Sequence, residues 1–261
     1  MKKLTVYISG LGLIASFLSA TVDAETGKNS LGSPPVLTIC NWEDYFAPET
    51  IPNFEKKFSI KVNLETVKDE EELISVLQSD PAKYDLIVIS GDSIRELSRM
   101  RLLAKLDLSR IPNFKNIDPR FLNPSYDPHH RYSVPYLWGT TGIAVNREHI
   151  PEKKYDWSIL WDPAFRGKIA MINNPHEVFG AALKRRGYSI NSIRTAQLEE
   201  AAADLRKQKP ILAGYLDPIE MRKRLINGQL WAAQIYSGEG MFAADKNDSI
   251  EYLIPEEGAA V

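Results

Sequence analysis

Residues 132–146 read YSVPYLWGTTGIAVN. β-Formers open the stretch and Pro135 interrupts it. Tyr136, Leu137 and Trp138 then lead into Gly139-Thr140-Thr141-Gly142, and the apolar Ile143-Ala144-Val145 follows. Two extended segments joined by small, permissive residues can carry a chain from one lobe to another. Large aromatics on such a connector lie beside whatever space separates the lobes. The same letters also fit an ordinary core strand with a glycine bend. The flanking pattern therefore has to be read with them.

Upstream, residues 36–41 form a short apolar run, and residues 60–66 alternate as IKVNLET, a half-buried strand. Residues 84–90, YDLIVIS, are continuously apolar and predict a central strand. Helical spacing lies between these runs. It follows Pro48 through Phe54, Lys57 and Phe58, spans residues 69–79 with acids in the first turn, and returns at residues 93–103. After an irregular segment, 106–130, and the connector, strands are expected at 168–172, 211–215, 229–236 and 250–254. Helices are expected at 157–161, 175–187, 195–207, 218–226 and 240–246. This alternation predicts two α/β lobes, the first with a largely parallel sheet.

A chain of 261 residues with 44% hydrophobic and 25% charged residues can build such cores. The formal charge of −2 gives no general electrostatic reason to bind nucleic acid. Lys2 and Lys3, the apolar run 4–18 and the small residues Ala20 and Ala24 have the layout of a secretory signal peptide, with an uncleaved anchor as the alternative. Cys40 is the only cysteine, so it has no disulfide partner within the chain, and its apolar neighbours suggest an inert core residue.

In α/β sheets ligands gather outside the carboxyl ends of the strands. Trp42-Glu43-Asp44-Tyr45 follows one such strand, and Ser90 follows another. Asn174 and Glu177 open a helix, while Tyr236 and Glu239 follow a further strand. Aromatic faces favour cations and carboxylates accept ammonium hydrogens, so this set suits a cationic ligand. Any one of these acids taken alone reads better as a solvated or helix-capping group. His129 and His130 are adjacent in a turn-like segment, a poor chelate, and are expected at the surface. No nucleophile elbow or phosphate loop occurs. No enzymatic activity, cofactor or metal is expected.

Several motifs in order also carry a resemblance. Residues 41–45 (NWEDY), 84–88 (YDLIV), 136–143 (YLWGTTGI), 177–179 (EVF) and the pair Ile254-Pro255 before Glu257-Gly258 resemble the periplasmic polyamine-binding proteins, the spermidine/putrescine receptors of ATP-binding-cassette importers. The resemblance implies a two-lobed solute-binding fold whose lobes close over the ligand. It divides the chain into a signal peptide (1–24), a first lobe (25–136), a second lobe (137–249) and the start of a segment returning to the first lobe (250–261). Trp42 and Tyr45 would wall the site beside Glu43, Asp44 and Ser90. Glu177 would bind an amine, Tyr236 would replace a wall tryptophan, and Glu239 would match an acid of some members. Asn174 stands where spermidine binders carry an aspartate, and Asp92 where an aromatic is frequent. Family members continue well past the Pro-x-Glu-Gly signature, so the resemblance implies a C-terminally incomplete fold. It further implies a periplasmic monomer that hands a polyamine to a membrane permease. The alternatives are an amine sensor uncoupled from transport and a remnant that does not bind.

Overall fold

The computed structural model describes residues 34–67, 69–151 and 155–259. The expected signal peptide lies outside them. The chain divides into two compact units, and the boundary falls between Trp138 and Gly139.

The first unit alternates β1 (Val36–Asn41), α1 (Thr50–Phe58), β2 (Lys61–Thr66), α2 (Glu70–Ser79), β3 (Leu86–Ile87) and α3 (Gly91–Arg99). Its sheet has the order β2-β1-β3 and both pairings are parallel. Val36 lies opposite Lys61, and Asn41 opposite Thr66. α2 starts where Asp69 accepts a hydrogen bond from the Glu72 amide at 2.8 Å, with Glu70, Glu71 and Glu72 favouring the positive helix end. Leu73 and Leu77 of α2 and Ile94 and Leu97 of α3 pack around Cys40, Tyr84, Ile87 and Ile89. Cys40 is fully buried, and burial pushes its thiol up to about 11, so it is an inert core residue as expected.

Two expectations need correction. The run 84–90 is not a central strand among the described residues: only Leu86 and Ile87 pair, on one side, with β1. Its apolar letters report helices covering it rather than strands flanking it. His130 is buried instead of exposed. The Asn123 amide donates to its Nε2 at 3.0 Å, its Nδ1 lies 3.3 Å from the Ser133 carbonyl oxygen, and the Phe114 ring meets it edge-on. Burial holds its pKa below the ordinary histidine value.

The second unit contains β4 (Thr141–Asn146), β5 (Ile169–Ile172), α4 (Pro175–Arg185), α5 (Thr195–Gln208), β6 (Leu212–Leu216), α6 (Pro218–Ile226), β7 (Ala232–Tyr236), α7 (Ser237–Lys246) and β8 (Ile250–Leu253). The sheet order is β6-β5-β7-β4-β8. β5 runs parallel to β6 and β7, while β4 is antiparallel to β7 and β8. All six residues of β4 are buried. Ile143 and Val145 join the core formed with Trp157, Leu160, α4 and α5, and the intervening Ala144 faces Met221 and Leu225 of α6. The opening stretch thus divides. Its second half is a core strand, and its first half, through Thr140, has no regular structure.

Residues 250–258 make their described contacts within the second unit. β8 pairs with β4, the Trp157 indole Nε1 donates to the Gly258 carbonyl oxygen at 3.0 Å, and Lys184 Nζ donates to the Glu257 carbonyl oxygen at 3.2 Å.

Candidate functional site

In the first unit the carboxyl ends of β1 and β3 are neighbours, because Cys40 pairs with Ile87. That register brings two sequence-distant groups to one edge. The turn after β1 holds Trp42 half-buried, with Glu43, Asp44 and Tyr45 exposed. Asn41 Oδ1 accepts from the Trp42 amide at 2.8 Å. Asp44 takes φ of 61°, a left-handed value that aspartate tolerates better than most residues. The Tyr136 hydroxyl donates to the Tyr45 carbonyl oxygen, and its ring lies tilted 6.0 Å from that of Phe46. Burial, then proximity to Tyr45, raises the Tyr136 pKa. The connector therefore anchors the aromatic-acidic turn.

Ser90 stands at the start of α3 and carries a partner that local sequence patterns did not single out. Its amide donates to Glu70 Oε1 at 2.7 Å and its hydroxyl to Glu70 Oε2 at 3.1 Å. The Ser93 hydroxyl donates to the same Oε2. The first acid of α2 thus reaches across to the opening turn of α3.

In the second unit β5 and β7 run side by side and parallel, so the residues that follow them emerge on the same edge. Asn174 caps α4. Its Oδ1 accepts from the His176 amide at 2.9 Å and from the Glu177 amide at 3.5 Å. Asparagine serves the helix well here, and its carbonyl is committed to the cap. Glu177 is half-buried in the first turn, and its backbone carbonyl accepts from Gln234 Nε2 on β7 at 2.7 Å. Tyr236 ends β7 opposite Thr141. Glu239, in the first turn of α7, stands 2.9 Å from Arg222 Nη1 of α6. Among the described residues, no group of three or more histidine, cysteine, aspartate and glutamate side chains could hold a metal.

Tyr252 is the residue at this edge that sequence reasoning passed over. On β8 it reads as one more strand residue. Its hydroxyl donates to the Thr140 carbonyl oxygen at 2.9 Å and lies 2.7 Å from Thr140 Oγ1. Two glycines make room for it. A Cβ on Gly142 would lie 2.7 Å from its hydroxyl oxygen, and one on Gly240 would lie 2.5 Å from its ring. Burial raises its pKa, the Thr140 bond opposes this, and the Glu177 charge adds to it. The pair Gly142 and Gly240 is the sequence signal that could have found it.

Each edge thus offers carboxylates beside aromatic rings. Such an arrangement can bind and orient a cation, with aliphatic carbon lying against the rings.

Residues 49–261 match the family described as bacterial extracellular solute-binding protein. The spermidine/putrescine-binding periplasmic protein of Escherichia coli K12 is 30% identical over 260 residues, which cover 99% of this chain and 72% of that protein. The putrescine/cadaverine-binding protein of Pseudomonas aeruginosa is 28% identical, with coverage of 95% and 72%. Among solved structures, the spermidine/putrescine ABC transporter substrate-binding protein PotD of Streptococcus pneumoniae superposes with a TM-score of 0.73 at 33% identity, covering 86% of this chain and 69% of that one. The chain belongs to the bacterial extracellular solute-binding proteins, a family of binders rather than catalysts.

Proposed function

We propose that this protein is a polyamine receptor of an ATP-binding-cassette importer, exported by the signal peptide at residues 1–24 and acting in the periplasm as a monomer. It captures a linear aliphatic amine and delivers it to a membrane permease. The observation that carries this reading is the turn after β1. There Glu43 and Asp44 stand exposed between Trp42 and Tyr45, on a backbone fixed by Tyr136. The names of the relatives, with putrescine, cadaverine and spermidine as ligands, support it. Trp42 and Tyr45 would cover methylenes, and Glu43, Asp44 and Ser90 would accept ammonium hydrogens. In the second unit Glu177 would hold an amine and Tyr236 would add a ring face, with Asn174 shaping the α4 end through its cap. Carboxylates are needed because a buried ammonium without a counter-charge costs several kcal/mol.

The test is a thermal-shift titration of the purified protein with putrescine, cadaverine, spermidine and spermine. A ligand that binds only the folded form raises the midpoint with its concentration. A saturable rise with at least one amine is expected. A cooperative transition that none of the four moves would overturn the reading.

A further inference from the structure

One acid at the edge of the second unit already has its charge answered. Arg222 follows buried Met221 on the side of α6 that packs beneath β7. Its guanidinium meets the Glu239 carboxylate at 2.9 Å, and the two side chains are only 10% and 14% exposed. The same guanidinium lies 4.3 Å from the centre of the Phe242 ring, one turn along α7 from Glu239's end of the helix. A ring, a cation and a carboxylate thus form one packed group. At this depth removing either partner takes from the other a close counter-charge that water does not replace. Glu177 lies in the first turn of α4, Asp217 caps α6 through the Ile219 and Glu220 amides, and Glu220 pairs with Arg224 at 2.7 Å. Asn174 brings no charge.

We propose that Arg222 is a specificity-determining residue. By neutralising Glu239 it lowers the negative charge offered at the edge of the second unit, and so favours amines with two ammonium groups over those with three. This rests on the amine-receptor reading above. On this view Glu239 matches an acid of the family in sequence but does not grip the ligand.

The experiment is calorimetric titration of wild type, Arg222→Met, Glu239→Gln and the double variant with putrescine and spermidine, with thermal unfolding as a check on folding. Wild type is expected to bind putrescine more tightly than spermidine. Arg222→Met restores the Glu239 charge and moves the affinity ratio toward spermidine by about tenfold. Glu239→Gln removes the carboxylate beside the guanidinium, makes the edge more positive and weakens both amines, spermidine more. The double variant cancels both changes and returns the wild-type ratio to within about threefold. A double variant that loses as much affinity as Glu239→Gln would show Glu239 gripping the amine directly and would overturn the proposal. An unchanged ratio in folded Arg222→Met would overturn it too. Should Arg222→Met fail to fold, the double variant, which removes both charges together, decides alone. Folded wild type that binds neither amine overturns the receptor reading and this proposal with it, a result distinct from binding with an unaltered ratio.

Discussion

The edges of the two sheets carry their acids in opposite ways. In the first unit Glu43 and Asp44 sit on an exposed turn, above a three-stranded sheet whose β3 pairs through only two residues. In the second, Glu239 is locked to Arg222 and the Glu177 backbone is bonded to β7, beside a five-stranded sheet with two cores. The difference shows where recognition is coupled to folding. An exposed carboxylate can change with little effect on stability, whereas a charge built between helices cannot.

The largest expected effect tests how firmly the second unit is built. Trp157 is fully buried, and its indole donates to Gly258. Trp157→Ala should cost about 3–5 kcal/mol in urea unfolding followed by circular dichroism. A loss below about 1 kcal/mol would erase the contrast, since that is the effect of an ordinary substitution.

Next comes Asp204, buried on α5. Arg185 Nη1 donates to it at 3.1 Å and Arg186 Nε at 2.7 Å. The Arg186 bond, opposed by burial and aided by charge, holds its carboxyl below the usual range. A lowered folded pKa stabilises above the unfolded pKa of about 3.9, and that contribution is lost as pH falls through the folded value. Asp204→Asn should therefore cost on the order of 2 kcal/mol at neutral pH. The gap to wild type should close as the solution is acidified below pH about 4. A gap independent of pH would assign the loss to packing instead of charge.

The smallest effect on stability should come from the first unit. Glu43→Gln should leave unfolding within about 0.5 kcal/mol of wild type, while amine affinity falls severalfold. A large stability loss with affinity intact would reverse the comparison.

Much of this architecture is legible in the letters. Strand–helix alternation gives both α/β units, and Trp42, Ser90, Asn174 and Tyr236 fall at strand or helix ends because turn and cap chemistry is local. What was illegible depends on tertiary register. Nothing near Glu70 announces that it will meet Ser90 and Ser93, since the pairing arises only when α2 and α3 flank the same strand. Arg222 sits among Met221 and Leu225 in a helical repeat, and the approach of α7 brings Glu239 to it. Tyr252 looks like strand filler until Gly142 and Gly240 are seen to clear its place. His130 reads as a surface loop residue because burial there comes from Phe114 and Asn123, on separate turns. An apolar run such as 84–90 reports what lies above and below a strand and is silent on what lies beside it.

The bond from Glu70 to the opening turn of α3 has a consequence for what the first unit turns away. The start of a helix is a natural resting place for phosphate or a free carboxylate, since its amides and dipole attract negative charge. Here the protein's own carboxylate takes up the Ser90 amide and the Ser90 and Ser93 hydroxyls. An inorganic anion competing for those same donors would meet a negative charge already tethered there. A carboxylate of the chain thus occupies three donors at that helix start.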